Sequence, residues 1–411
     1  MLRPLLTDYF LHGVAATAAG KTLPSRLPDT APLGRTIVLG CGKAAAEMAA
    51  VAARHLVGQV SGCIVTRHGH GVDVPIPGIE AIEARHPVPD VHSLEAGRKL
   101  MELAAQAAAG DRVLFLISGG GSSLLCAPAL GISFSEKQAM TDHLVRSGAP
   151  ISSINLVRHH LSLIKGGRLA ALAGAKGAEL ITYYISDVAG NDPALIASGP
   201  SIAAPFLPEL ALSILESSGW QVTDDLAKAV RANLPATSID HPAYLLATND
   251  DALDAIAARA TAEGWSVVDA GRELTGDAAE TGRLHAAMAM DHASRPGRHL
   301  LLSGGELTVH NASKSGRGGP NLEYLTGILS AIDPAAPVYA LAGDSDGIDG
   351  TEDNAGGYIE AGWAVDDGIA AALAEHRSYD LFAKLGGLVI TGPTRTNVND
   401  IRMIAVEGPQ A

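Results

Sequence analysis

The sequence predicts an α/β protein of two domains, with parallel strands covered by helices on both faces. Three observations predict it. The chain has 411 residues, too many for one average domain. Short apolar runs alternate with Ala-rich helical segments along almost all of it. Six polar stretches rich in glycine or aspartate fall where an apolar run ends, which is where open α/β sheets bind ligands. A cleft between two such domains is their natural meeting point.

The elements follow in order. Leu2, Leu5, Leu6, Phe10 and Val14 stand near helical spacing and predict an amphipathic first helix. Asp8 inside that segment makes it a poor signal peptide. TIVLG (36–40) reads as a strand ahead of the helical KAAAEMAAVAARHL, and GCIVT (62–66) as another. The helical LEAGRKLMELAAQAA precedes the strand RVLFLIS (112–118), and GGRLAALAG precedes ELITYYIS (179–186). The pattern restarts with YLLAT (244–248), a helix over DALDAIAARATAEG, then WSVVDA, RHLLLSGG, PVYALAGDSDG and GGLVITGPT. The least patterned stretch, 217–243, places a boundary near residue 240, giving domains 1–240 and 241–411. The first helix is free to pack on either.

Composition narrows the function classes. Hydrophobic residues make up 47% and aromatics 4%, so the cores are built from Ala, Leu, Val and Ile. A net charge of -14 argues against nucleic acid or an anionic membrane as partner. Cys41, Cys63 and Cys126 are odd in number and form no CxxC, so no disulfide framework is visible. The longest uncharged stretch, Val113 to Ser135, contains SGGGSS and Pro128, which a membrane helix would avoid. A cytoplasmic protein is expected.

The loops carry the chemistry. Gly40-Cys41-Gly42-Lys43-Ala44-Ala45 matches G-x-G-x-x-A, a dinucleotide fingerprint. The next strand, however, ends in Arg67-His68, not in the acid that would hold a ribose; Arg67 suits a ribose phosphate, which keeps an NADP-dependent reductase as the alternative. Lys43 at a helix N-terminus opposes the helix dipole and asks for an anion, of which phosphate is the usual one. Ser118-Gly119-Gly120-Gly121-Ser122-Ser123 offers consecutive N–H groups as an oxygen nest, without the GK[ST] of a Walker motif. Gly304 and Glu306 in SGGE, and Arg317 and Asn321 in GRGGPN, extend the theme, with Arg317 a fixed cation for a transferring phosphoryl group. Asp187 and Asp192, then Asp344, Asp346 and Asp349, suit Mg²⁺ with phosphate oxygens. Asx turns are the plainer reading of Asp192 and Asp349. An EF-hand fails on Ile348 and Ala355. NLVRHHLSLIKGGRLA (155–170) reads as helical, and Arg158, Ser162 and Lys165 recur near one face, either a solvated basic face or a surface for a carboxylate or nucleotide. His68 and His70 flank a glycine without a zinc-spaced partner. No Ser/His/Asp order and no G-x-S-x-G is present.

In this order, GCGKAAAEMA, SGGGSSLL, NLVRHHLSLIKGGRLA, SDVAGNDPALIASGPS, SGGELTV with GRGGPNLEYL, GDSDGIDGTEDNAGG and TGPTRTNVND resemble the glycerate 2-kinase family, whose members are often labelled hydroxypyruvate reductases. The resemblance spans nearly the whole chain. It implies a Rossmann-like N-terminal domain, a smaller α/β C-terminal domain of MOFRL type and an active site between them. It implies ATP, Mg²⁺ and conversion of D-glycerate to 2-phosphoglycerate by a monomer or homodimer, with closure of the domains excluding water. Lys43 and Arg317 match the family's phosphoryl-transfer lysine and arginine. With that frame, Asp187 joins them in catalysis and Asp187 and Asp346 hold the metal. Gly42, Ser118, Gly119, Gly120, Gly121, Ser122, Ser123, Asn155, Lys165, Asp192, Gly304, Glu306, Asn321 and Asn397 form the substrate and nucleotide surface. Two departures stand out: Pro320 replaces the family's usual arginine, and Arg395 is inserted before Thr396-Asn397-Val398-Asn399-Asp400.

Overall fold

The computed structural model describes residues 2–310, 316–363 and 367–409. The chain forms two compact units, 19–246 and 1–18 with 247–411. The chain passes from one to the other after Leu246, and the first helix belongs with the C-terminal unit.

The 19–246 unit is built on a six-stranded sheet in the order β3-β2-β1-β4-β5-β6. Its strands are β1 (Thr36–Cys41), β2 (Val60–Arg67), β3 (Ile79–Ala84), β4 (Arg112–Ile117), β5 (Glu179–Ile185) and β6 (Ala243–Ala247). β1 to β5 run parallel. β1 and β4 are buried at every position, as expected of strands covered on both faces. Ile37, Leu39, Val113, Phe115 and Ile117 pack with Ala96, Leu100 and Ala104 of the helix Val91–Gln106. A second cluster, around Met140, Leu144, Val157, Leu212 and Leu215, joins helices that follow β4 and β5. This strand order reverses between β1 and β4, the switch point at which doubly wound sheets bind ligands.

Among its described residues the other unit also has six strands: β7 (Ser266–Asp269), β8 (Arg298–Ser303), β9 (Val338–Asp344), β10 (Gly356–Ile359), β11 (Leu388–Val389) and β12 (Asp400–Glu407), in the order β11-β10-β9-β12-β8-β7. Here the expectation of a parallel sheet is corrected. β7 and β8 are parallel, but β12 runs antiparallel to both β8 and β9, and β10 antiparallel to β9 and β11. The reason lies in the loop before β12. Asp400 pairs with Asp344 at the end of β9 and Arg402 with Ser303 at the end of β8, so the chain enters the sheet at its carboxyl edge and must run back. The first helix, Arg3–Ala16, lays Leu6, Phe10 and Val14 into this unit, and the Phe10 ring approaches Gly343 closely enough to meet any side chain there. Among the described residues no helix is long and apolar enough to cross a membrane.

Candidate active site

The switch point is stitched by backbone and one hydroxyl. Cys41 pairs with Ile117, so the GCGK and SGGG loops leave the sheet side by side. Ser118 N donates to Cys41 O at 3.0 Å, and Lys43 N to Gly119 O at 2.9 Å. The fully buried Ser118 Oγ accepts from Ala44 N at 3.0 Å. Ser118 thus fixes the loop pair, and its oxygen is occupied in doing so. The helix that follows, Ala45–His55, has no side-chain cap at its N-terminus, and Lys43 stands half-buried just ahead of it. Gly120 adopts φ +78°, and a Cβ there would meet the His86 ring and Lys43 Cγ, each at 3.2 Å. A bare backbone is therefore needed for Lys43 and His86 to flank the loop. Gly121 is equally constrained, since its Cβ would fall 2.7 Å from Ala197 and 2.8 Å from Cys41 Sγ.

A polar chain continues from Ser122. Its Oγ bonds Ser198 Oγ at 2.8 Å, and Ser198 Oγ donates to Asn155 Oδ1 at 3.2 Å. Arg158 Nη1 donates to the same Asn155 oxygen at 3.4 Å. Lys165 Nζ donates to Ser122 O at 2.7 Å and to Ser122 Oγ at 3.3 Å. Ala197 and Ser198 are held at φ +53° and +59°, conformations that cost side-chain-bearing residues about 1 kcal/mol or more each. Burial, with Lys137 and Arg158 nearby, pushes the Lys165 ammonium down to about 7. The structure thus brings Gly42, Lys43, Ser118 to Ser123, Asn155 and Lys165 to one edge of one sheet. Asp187 follows β5 at that edge and is half-buried. Asp192 Oδ1 accepts from Ala194 N at 2.9 Å, the Asx turn that was its plainer reading.

The C-terminal unit converges its own loops on buried carboxylates. Asp349 accepts from Asn321 N at 3.0 Å and Leu322 N at 2.9 Å, and so caps the helix Pro320–Leu329. The Asn321 amide donates to Asp400 Oδ1 at 2.6 Å, and Asp400 pairs with the fully buried Arg402. Arg402 donates to Gly304 O at 3.0 Å and Gly305 O at 3.2 Å. Asn249 Nδ2 ties in Val398 O at 2.7 Å, and Val398 N reaches Ser345 Oγ at 2.8 Å. Asn321 therefore spends its amide on carboxylates and positions the loops from beneath; Asn397 is also buried, and Glu306 is exposed. Arg317 is held in this conformation by Glu352, at 3.2 and 3.0 Å, and by Asp380, at 2.7 Å, over the Tyr379 ring.

For a metal, the donor set is carboxylate oxygen. Asp187 follows β5 in one unit, and Asp346 follows β9 in the other, where its Oδ1 accepts from Ile348 N at 2.7 Å. Among the described residues no group of three His, Cys, Asp or Glu could enclose an ion. Hard carboxylate oxygens of this kind fit Mg²⁺, which takes one or two protein carboxylates alongside phosphate oxygens.

Three residues escaped the sequence reading. His86 lies outside every glycine loop. Ser198 was masked by an ordinary SGP turn. Lys137 did leave a signal: it falls on the same helical stripe as Met140 and Leu144, and it is buried with them.

Comparison with known proteins agrees with this architecture. Residues 5–235 match the family model described as a domain of unknown function, DUF4147, and residues 299–400 match the MOFRL family. An Agrobacterium vitis protein provisionally named a hydroxypyruvate reductase is 41% identical over 98% of this chain and 94% of its own. The D-glycerate 2-kinase of Thermotoga maritima is 34% identical over 97% of each chain. The crystal structure of a Thermotoga maritima glycerate kinase superposes with a TM-score of 0.84 at 33% identity, covering 99% of both chains. With its two family models in sequence and kinase relatives along its full length, the chain belongs to the glycerate 2-kinase family.

Proposed function

We propose that the protein transfers the γ-phosphoryl group of ATP to the 2-hydroxyl of D-glycerate, giving 2-phosphoglycerate. The observation that carries this reading is the stitched loop pair at the β1/β4 switch point, which presents Lys43 beside the bare backbone of Gly120 ahead of an uncapped helix. Phosphoryl transfer needs positioning and charge neutralisation rather than a protein nucleophile, and this site supplies those. The acceptor hydroxyl oxygen bonds to the γ-phosphorus as the bond to the β,γ-bridging oxygen breaks. Lys43 and Arg317 neutralise the charge on the transferring group, and Asp187 takes the hydroxyl proton. The glycine nest of Gly119 to Gly121 receives oxygens. Mg²⁺, held through Asp187 or Asp346, neutralises nucleotide phosphate charge when bound.

The reductase reading retains the G-x-G-x-x-A match, and with it a relative's provisional name. It lacks an acidic residue at the end of β2, which closes with Arg67. Phosphorus NMR of D-glycerate, ATP and Mg²⁺ incubated with the protein tests the choice. A 2-phosphoglycerate resonance is expected, with kcat about 10²–10³-fold lower in Lys43→Ala at unchanged melting temperature. Absence of any phosphorylated glycerate, together with NADPH oxidation by hydroxypyruvate, would overturn it.

A further inference from the structure

Lys137, Arg158 and Lys165 form a buried cluster of cations without a counter-ion. Lys137 is 5% exposed and Lys165 2%, while Arg158 is half-buried. Among the described residues no carboxylate pairs with any of the three. Lys165 is held by neutral acceptors, Ser122 and Ala197 O. Among the described residues Arg158 reaches only the Asn155 side-chain carbonyl. Among the described residues no oxygen acceptor reaches Lys137 Nζ, whose neighbour is the Cys126 sulfur. Lys137 also stands in the first turns of the helix Phe134–Arg146, where the helix dipole opposes a cation.

Burying unpaired charge is among the costliest things a fold can do, and a sulfur neighbour does little to offset that cost for Lys137. A cluster that the protein leaves uncompensated is completed by a ligand anion. The anion must be compact, because two of the three cations are almost wholly enclosed. A nucleotide triphosphate carries several charges along an extended chain with its own divalent cation. A carboxylate is planar, singly charged and able to accept from three donors at once.

We infer that Lys137, Arg158 and Lys165 seat the carboxylate of the hydroxy-acid substrate, with Ser122 and Asn155 orienting it. This rests on the kinase reading for the identity of the acid. The strained Ala197-Ser198 turn, which holds Ser122 and Asn155 in place, is part of the same seat. The low basicity of Lys165 adds a signature. The charged or titratable groups around it are Lys137, Arg158, Cys126, the Cys41 thiol, which burial pushes up to about 12 and so keeps neutral, and His159, which burial holds down to about 4 and therefore neutral. A carboxylate arriving there raises the Lys165 pKa, so binding takes up a proton when the pH is above about 7.

Isothermal titration of the full chain with D-glycerate alone, with its neutral amide glyceramide, and with MgATP tests the inference. D-glycerate is expected to bind wild type well above glyceramide, and Lys137→Met and Arg158→Gln to weaken D-glycerate about 10- to 100-fold while leaving MgATP unchanged. Titrations at pH 8 in buffers of different ionisation enthalpy should show proton uptake that Lys165→Met abolishes, a signature that a merely structural lysine would not give. Lys137→Met is expected to melt no lower than wild type; should it fail to fold, Arg158→Gln carries the comparison. Unchanged D-glycerate affinity in the folded variants, a loss confined to MgATP, or no D-glycerate binding by wild type would each overturn the seat. The two readings fail separately. Glycerate bound but never phosphorylated, with binding lost in the variants, removes the kinase and keeps the seat. Product formed with glycerate affinity intact in the variants removes the seat and keeps the kinase.

Discussion

Arg317 enters the story already engaged, bidentate to Glu352 and singly to Asp380. A half-exposed arginine in such a pair gains little net stability, because water screens the charges. What the pair does is fix the guanidinium in one place. If Arg317 neutralises a phosphoryl group, Glu352→Gln leaves stability within about 0.5 kcal/mol and changes the KM for ATP, whereas Arg317→Ala lowers kcat about 10²-fold or more. Steady-state kinetics and a thermal melt separate the two. Lys165 gives a pH prediction. Its folded pKa of about 7 lies below its ordinary 10.5, so between those values the unfolded chain holds a proton that the folded chain does not. Stability therefore rises with pH across that window and receives no slope from this group below it. Urea unfolding from pH 7 to pH 10 should show a shallower rise in Lys165→Met than in wild type.

At the scale of elements, the helix Pro320–Leu329 depends on one carboxylate. Asn321 through Leu329 are all buried, so its first N–H groups have no recourse to water and rely on Asp349. Asp349→Ala is expected to cost about 2 to 3 kcal/mol in denaturant unfolding, against less for Asp349→Asn, which retains an acceptor. The same elements show what the sequence could and could not disclose. β1, β4 and β5 were legible because a strand buried on both faces reads as an uninterrupted apolar run. β3 was not, since IEAIEA alternates carboxylates with apolar residues and resembles a surface segment. β12 was not, because DIRMIAVE places Asp400 and Arg402 in a strand where both are buried against each other. Their pairing is a fact of three dimensions. The glycine loops and Lys43 were legible from position after a strand; Lys137 showed only as a lysine on the stripe of Met140 and Leu144, a place from which a lysine can also run its stem over apolar surface and reach water.

At the scale of the whole molecule, the chain leaves its C-terminal unit after residue 18 and returns to it at Ala247. The first helix packs on the helix Asn249–Ala262 and on β9, with Tyr9 donating to Glu263 at 2.6 Å. Phe10→Ala removes a fully buried ring and should cost about 3–5 kcal/mol. Hydrogen exchange should report that loss in residues 247–411 and leave 19–246 protected as before. Loss spread evenly over both units would mean that they unfold as one.

That return has a consequence for synthesis. The first helix leaves the ribosome before anything it can pack on exists. All of Ala19–Leu246 must be translated before its partner helix emerges, on the order of tens of seconds at bacterial or eukaryotic elongation rates. During that interval Leu6, Phe10 and Val14 are an apolar stripe without a home, while the 19–246 unit, which holds Lys43 and the glycine nest, already has its whole sheet. The nascent chain thus completes its Lys43-bearing unit first and keeps an unsatisfied N-terminal segment in wait, one that a chaperone is suited to shield until the last strand, β12, arrives.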